Sequence, residues 1–349
     1  MQTALPVSAE ADALPQPYLL FLGDIAEPGY AKTAFGLRDW APERCLGEFA
    51  CAAARVSTGL PVLTPLQARQ AGARAMVVGV ANPGGHIPEA WIAPLVQALE
   101  AGLDLIGGMH MRLSEIEPLR NAARALGRRL IDVREPPPGI PVASGAKRTG
   151  KRLLTVGTDC ALGKKYTSLA LARAFQARGV DADYRATGQT GILIAGAGMP
   201  MDAVVADFAA GAAEMLSPDA HPLHWDVIEG QGSLSHPAYA GVSLALLHGS
   251  QPDVIVVCHE HGRERMLGHA HYPLPSIEET IDLALALGAR TNPAIRCTGV
   301  SLNTGKLDAE AAHAAIAALA DRLGMPVADP VRGGDTFATL VDACLSWQG

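Results

Sequence analysis

Short apolar runs alternate along most of the chain with stretches that repeat apolar positions at helical spacing. Residues 18–22, 75–80, 104–106 and 129–133 are runs of strand length that end near Gly, Asn or Pro, and residues 88–101 and 115–126 between them carry a helical period. The alternation resumes after residue 150. Strands are predicted at 153–156, 225–228, 253–258 and 298–302, with helices at 161–178 (stopped by Gly179), 276–287 and 308–323. Such βα alternation predicts an α/β fold with mostly parallel sheets and helices on both faces. Between the halves, Glu135 is followed by three prolines, which neither continue a helix nor supply a central strand's donors. The expected organisation is an N-terminal extension (1–17), a Rossmann-like α/β domain (18–140), a linker (141–150) and a second α/β domain (151–349). No internal repeat or low-complexity tract is evident.

Composition narrows the class. The 349 residues are 49% hydrophobic and 18% charged, enough for two sizeable cores. A net charge of -7 argues against nucleic acid as a partner, because a phosphate backbone wants a basic stripe. The six cysteines lie far apart with no C-x-x-C pair, so neither a zinc knuckle nor a disulfide framework is expected. The N-terminus lacks the basic and apolar regions of a signal peptide, and no apolar run is long enough to span a membrane. A cytoplasmic location is the resulting expectation. Ala-rich stretches such as 309–320 suit either a core or a subunit interface, so a homo-oligomer is compatible with them.

The strongest chemical signal lies between a predicted strand and a predicted helix. Gly157, Thr158, Asp159, Cys160, Ala161, Leu162, Gly163 and Lys164 place a glycine-flanked loop and a lysine at a helix N-terminus. Glycines let the backbone wrap a phosphate, whose charge meets N–H groups and the Lys ammonium. The alternative is a purely structural glycine turn. This loop assigns the second domain to a P-loop NTPase-like fold. The first domain has only Gly23 after its first strand, without the G-x-G-x-x-G of a dinucleotide site.

The loop resembles the G-T-D-x-x-x-G-K-T loop of dethiobiotin synthetase and its relatives, in which the Thr after the Lys ligates magnesium. Here Lys165 stands in that place, followed by Tyr166 and Thr167. Thr167 is two positions on, about 200° round a helix, and poorly placed to substitute. A second lysine suits a pyrophosphate bound without metal, such as that of coenzyme A, better than hydrolysis of magnesium-ATP.

Ligands of open parallel sheets gather at the carboxyl ends of the strands. That edge selects Glu229, followed by Gly-Gln231-Gly, as a general base or a metal-site carboxylate beside a close-approach turn, with a capped strand as the bland alternative. It also selects His259, Glu260, His261 and Arg263. Four of eleven histidines fall at 259–271, where imidazoles suit proton abstraction and Arg263 a substrate carboxylate. The spacing is not H-E-x-x-H, so no metal is expected, and a plain polar loop is the competing reading. Weaker candidates are Thr190 in Thr187-Gly-Gln-Thr-Gly191, Asn303 where related folds hold a nucleobase, and Lys32 in Ala31-Lys-Thr-Ala-Phe-Gly36.

Together these segments, with Glu229-Gly-Gln-Gly-Ser-Leu234 and Tyr272-Pro-Leu-Pro-Ser276, resemble the P-loop family that includes D-glutamate N-acetyltransferase. The resemblance runs from about residue 18 to the end. It implies a Rossmann-like domain joined to a P-loop domain and acetyl transfer from acetyl-CoA to the amino group of D-glutamate, a step in D-glutamate catabolism. Joined to the reading of the lysine pair, it leads to the expectation that residues 157–167 and Asn303 hold the coenzyme. His259, Glu260, His261 or Glu229 would then act on the acceptor's ammonium, and Arg263, Lys32, Thr190 and Gln231 would bind the acceptor. An ATP-dependent ligase or kinase using magnesium-ATP, and a metabolite-binding protein without turnover, are the competing expectations.

Overall fold

The computed structural model describes residues 14–347; most of the extension expected at 1–17 lies outside them. The chain divides into two compact units. One comprises the described residues up to Pro136 together with Gln189–Ala203, the other Pro137–Gly188 and the described residues from Val204 onward.

In the first unit, β1 (Tyr18–Phe21), α1 (Lys32–Trp40), β2 (Cys45–Phe49), α2 (Pro65–Gln70), β3 (Ala75–Val78), α3 (Glu89–Glu100), β4 (Asp104–Gly107), α4 (Glu117–Leu126) and β5 (Leu130–Asp132) follow in order. The strands form a parallel sheet, β2-β1-β3-β4-β5. Every residue of β1, β3 and β4 is buried, which is why these strands read as apolar runs. Each fully buried Leu, Val or Phe among them contributes about 1.5–3 kcal/mol. β2 was not predicted, because Gly47 and Glu48 interrupt its apolar pattern. Glu48 is nevertheless buried and accepts hydrogen bonds from Ser57 Oγ (2.5 Å) and Thr58 N (2.6 Å).

In the second unit, β6 (Lys151–Gly157), α5 (Lys164–Ala177) and β7 (Ala182–Arg185) come first. The chain then supplies α6 (Gln189–Ala195) to the first unit, where the Thr190 hydroxyl lies 3.0 Å from that of Thr33 on α1. The second unit continues with α7 (Ala209–Leu216), β8 (Trp225–Ile228), α8 (Ala240–Ser250), β9 (Val254–Glu260), the antiparallel pair β10 (Arg265–Met266) and β11 (His269–Pro273), α9 (Ile277–Gly288), β12 (Arg296–Asn303), α10 (Ala309–Leu323), β13 (Val327–Ala328) and α11 (Gly334–Leu345). Its sheet is parallel throughout, in the order β13-β12-β9-β6-β8-β7.

Helices cover both faces of this sheet, as the βα alternation predicts. Leu153, Phe175, Trp225, Val254 and Leu340 belong to one buried cluster, and Val257, Ile277, Val300, Leu302 and Ile316 to another. The Phe175 and Trp225 rings meet edge to face at 5.4 Å. Residues 137–150 belong to this unit: Ser144 N (2.9 Å) and Gly145 N (2.8 Å) donate to Glu214, and Lys147 pairs with Asp253 at 2.8 Å. Among the described residues, no helix is long and apolar enough to cross a membrane.

Candidate active site

The order β13-β12-β9-β6-β8-β7 brings the ends of β6, β8 and β9 side by side, and the sequence candidates of the second unit collect there. The helix predicted from residue 161 begins at Lys164 instead. The preceding residues form the loop, where Ala161 (φ 53°) and Gly163 (φ 114°) take left-handed conformations that a continuing helix forbids. The loop is thereby kept out of the i→i−4 ladder that starts with α5.

Lys164 is buried, and its Nζ donates to the Asp159 carbonyl at 2.7 Å. Burial pulls its pKa down, and the nearby acidic groups only partly oppose this. The turn after β8 is packed against the same strand. Gly230 N donates to Thr155 Oγ1 at 2.9 Å, and a Cβ at Gly230 would stand 1.7 Å from the Thr155 carbonyl oxygen. Gly230→Ala is therefore expected to cost about 1–3 kcal/mol or more through overpacking. Thermal melting would show this as a Tm lowered by several degrees; an unchanged Tm would contradict this packing.

Glu229, at the end of β8, is buried, and three donors converge on its Oε2: Tyr184 OH (3.0 Å), Thr187 N (3.0 Å) and Gly188 N (3.3 Å). Burial raises its pKa, while those donors and the Lys165 charge pull it part of the way back. Tyr184 is pushed well above its ordinary pKa, first by burial and then by Glu229, so it stays a donor. Gln231 Nε2 donates to Thr187 Oγ1 at 2.9 Å. Lys165 lies over the Tyr166 ring at 4.8 Å.

The β9 end is organised around the loop. Asp159 accepts from Cys160 N (2.6 Å), Leu267 N (2.8 Å) and Arg263 Nη1 (3.1 Å). Arg263 also donates to the Cys160 and Ala161 carbonyls (2.8 and 3.4 Å) and to Glu260. Glu260 pairs in addition with Lys306 at 2.5 Å. Burial pushes the Glu260 carboxyl up, but Lys306 and Arg263 together outweigh it and hold the pKa low. His259 Nδ1 lies 2.9 Å from Thr158 Oγ1, and burial, then the Arg263 charge, lowers its pKa. His261 is exposed, its N–H on the Asn303 carbonyl at 3.1 Å.

Thr167 turns toward the sheet, its hydroxyl 3.1 Å from the Gly163 carbonyl and 2.7 Å from Ser301 Oγ. A cavity of about 300 Å³ adjoins the loop, lined by Leu162, Gly163, Tyr166, Asn303, Asp329 and Arg332 among others. Lys32, exposed at the start of α1, and Thr190, on α6, belong to the first unit.

Two groups of side chains among the described residues have donor atoms close enough for a metal: Asp159, Cys160 and His236, and Asp183, His224 and Asp226. Neither contains His259, His261 or His271. In the second group Arg185 already bridges Asp226 (2.6 Å) and Asp183 (3.1 Å). Tyr184 and His236 escaped the sequence reading. Tyr184 sits in a short polar edge strand, and His236 lies beyond the glycine turn, so neither stands out by spacing.

Comparisons with known proteins place the chain in a family. Residues 141–339 match the family described as a domain of unknown function, the DUF1611_C P-loop domain, and residues 43–136 match the DUF1611_N Rossmann-like domain. The chain is 49% identical over 327 residues to D-glutamate N-acetyltransferase of Tritonibacter scottomollicae, covering 94% of this chain and 98% of that one. It is 46% identical over 318 residues to the protein of the same name from a Pseudoalteromonas species, covering 91% and 96%. The crystal structure of a DUF1611 family protein from Anabaena variabilis superposes with a TM-score of 0.83 at 35% identity, over 94% of this chain and 98% of that one. With both of its domains matched, the chain belongs to the DUF1611 family.

Proposed function

We propose that this chain transfers the acetyl group of acetyl-CoA to the amino group of D-glutamate. The observation that carries the reading is the pairing of a P-loop with Lys165, where a magnesium-binding hydroxyl would stand, and a buried carboxylate, Glu229, at the neighbouring strand end. Near-full-length likeness to two proteins named for this reaction supports it.

In this reading residues 157–167 hold the donor's diphosphate, with Lys164 exchanging the Asp159 carbonyl for a phosphoryl oxygen. The cavity beside Asn303 receives the donor's base. Glu229 takes a proton from the acceptor's ammonium. The freed amine attacks the thioester carbonyl, and the tetrahedral intermediate collapses to the amide with expulsion of the coenzyme A thiolate, which takes up the second proton lost by the attacking nitrogen. Gln231, beside Glu229, binds an acceptor carboxylate. Arg263 acts as a positioning residue, because its guanidinium is engaged by Asp159, Glu260 and two loop carbonyls. Glu260, held ionised by Lys306 and Arg263, is the weaker base of the two buried carboxylates.

Mass spectrometry of purified protein with acetyl-CoA and D-glutamate, without ATP and with L-glutamate in parallel, tests the reading. Coenzyme A and N-acetyl-D-glutamate are expected in equal amounts. Product formed only when magnesium-ATP is added, or no product at all, would remove the proposal.

A further inference from the structure

His236 follows the glycine turn after β8, and its side chain is completely buried. The ring is held from one side. Its Nδ1 accepts the N–H groups of Ala238 (3.1 Å) and Tyr239 (3.3 Å) at the entry to α8. It stacks on Tyr239 at 4.7 Å and meets His269 edge to face at 5.0 Å.

An Nδ1 that accepts two N–H donors carries no proton, so the proton of the neutral ring is on Nε2. That atom is buried without a hydrogen-bond partner. Its nearest charged neighbour, Asp159 Oδ1, is 3.8 Å away, too far for a hydrogen bond. Asp159 cannot swing closer, because Cys160 N, Leu267 N and Arg263 already hold its carboxylate. A buried unsatisfied donor costs about 1–3 kcal/mol, which calls for an explanation.

By residue type alone, Asp159, Cys160 and His236 could hold a cation. The ring orientation opposes this. A metal needs the Nε2 lone pair, which would put the proton on Nδ1, directly against two backbone N–H groups. The neighbouring positive charges, Lys164 and Arg263, act in the same direction. What the orphaned N–H can donate to is an anionic oxygen.

We infer that His236 is a fixed-tautomer donor to a phosphoryl oxygen bound in the 157–164 loop, acting beside Lys164. Burial lowers the pKa of this ring, as do His269 and Lys164, while Asp159 pulls the other way. This preserves the donor without adding a charge that the resting loop would have to bury. The inference rests on the phosphate-cradle reading of the loop and not on the identity of the acceptor.

The test is ¹⁵N NMR of the full chain carrying labelled histidine, with His236→Gln to identify the signal. The probes are inorganic pyrophosphate and coenzyme A, with zinc as a control. Expected are an Nε2–H tautomer unchanged from pH 6 to 8, a shift of that signal on adding either phosphate probe, and no response to zinc. His236→Leu should weaken binding of both probes about ten- to a hundredfold, the worth of one hydrogen bond to a charged group, and His236→Gln should recover part of it. Probes that bind in a Lys164-dependent way without moving the His236 signal would overturn the inference alone. Probes that do not bind would overturn the cradle as well. A protonated Nδ1, or loss of the Nε2 proton on adding zinc, would also overturn the inference.

Discussion

Glu229→Gln is expected to lower kcat by about 10²–10⁴-fold, the usual contribution of a positioned general base, while donor affinity changes little. The variant removes the charge and keeps the shape. An amide oxygen still accepts from Tyr184, Thr187 and Gly188, the three donors that fix the carboxylate. Burial raises the Glu229 pKa, and the base must be ionised to work, so the acid limb of the kcat profile lies above the ordinary carboxylate range. The rate falls as pH falls through it. Tyr184→Phe deletes a donor that favours the ionised form and should move the limb further up.

Stability has the opposite sign. A folded-state pKa above the unfolded value contributes stability at low pH that is lost as pH rises through the folded pKa. The Gln variant, which cannot ionise, should therefore melt no lower than the native chain at neutral pH, and the two should converge in acid. Steady-state kinetics and thermal melts across pH measure both effects. A kcat within threefold of native would exclude Glu229 as the base.

Lys164→Ala is expected to weaken acetyl-CoA binding about a hundredfold. The ammonium has three donors, and a hydrogen bond to a charged group is worth about 1.5–3 kcal/mol. In the ligand-free chain that ammonium is buried, and its pKa is pulled down by desolvation. Removing it should leave the unliganded Tm unchanged or raised, because a depressed Lys pKa marks a charge that the folded state holds at a cost. The signature is a split. At a donor concentration of about a hundred times the native Kd, binding stabilises the native chain by about 2.7 kcal/mol, and the variant should lose most of that. Calorimetric titration and melting with and without acetyl-CoA read the two quantities separately. Undiminished affinity would take the donor out of the loop.

Much of the second unit was legible because it follows from local rules. β9 opens as an unbroken apolar run, Val254–Cys258, and β8 is apolar except for the buried Asp226. The cradle is written in consecutive residues between a strand and a helix. What escaped were elements whose pattern is set by long-range neighbours. β7 is a polar edge strand, and β2 carries a buried glutamate, so neither alternates cleanly. The predicted start of α5 at residue 161 came too early, because the loop's left-handed residues are indistinguishable in sequence from a first helical turn.

The sequence by itself determined the α/β class, the phosphate loop with its second lysine, and the set of polar residues at strand ends. It did so because backbone periodicity and glycine geometry act over a few residues. Only the tertiary structure decided which partners each side chain meets. Arg263, Asp159 and Glu260 are joined into one network although Asp159 and Glu260 stand 101 positions apart in the chain, brought together by the pairing of β6 with β9. Glu229 is fixed by a tyrosine from another strand, and His236 is held against the loop by the entry to α8. Those partners are far apart in the chain, and hydrogen bonding and desolvation depend on distance in space.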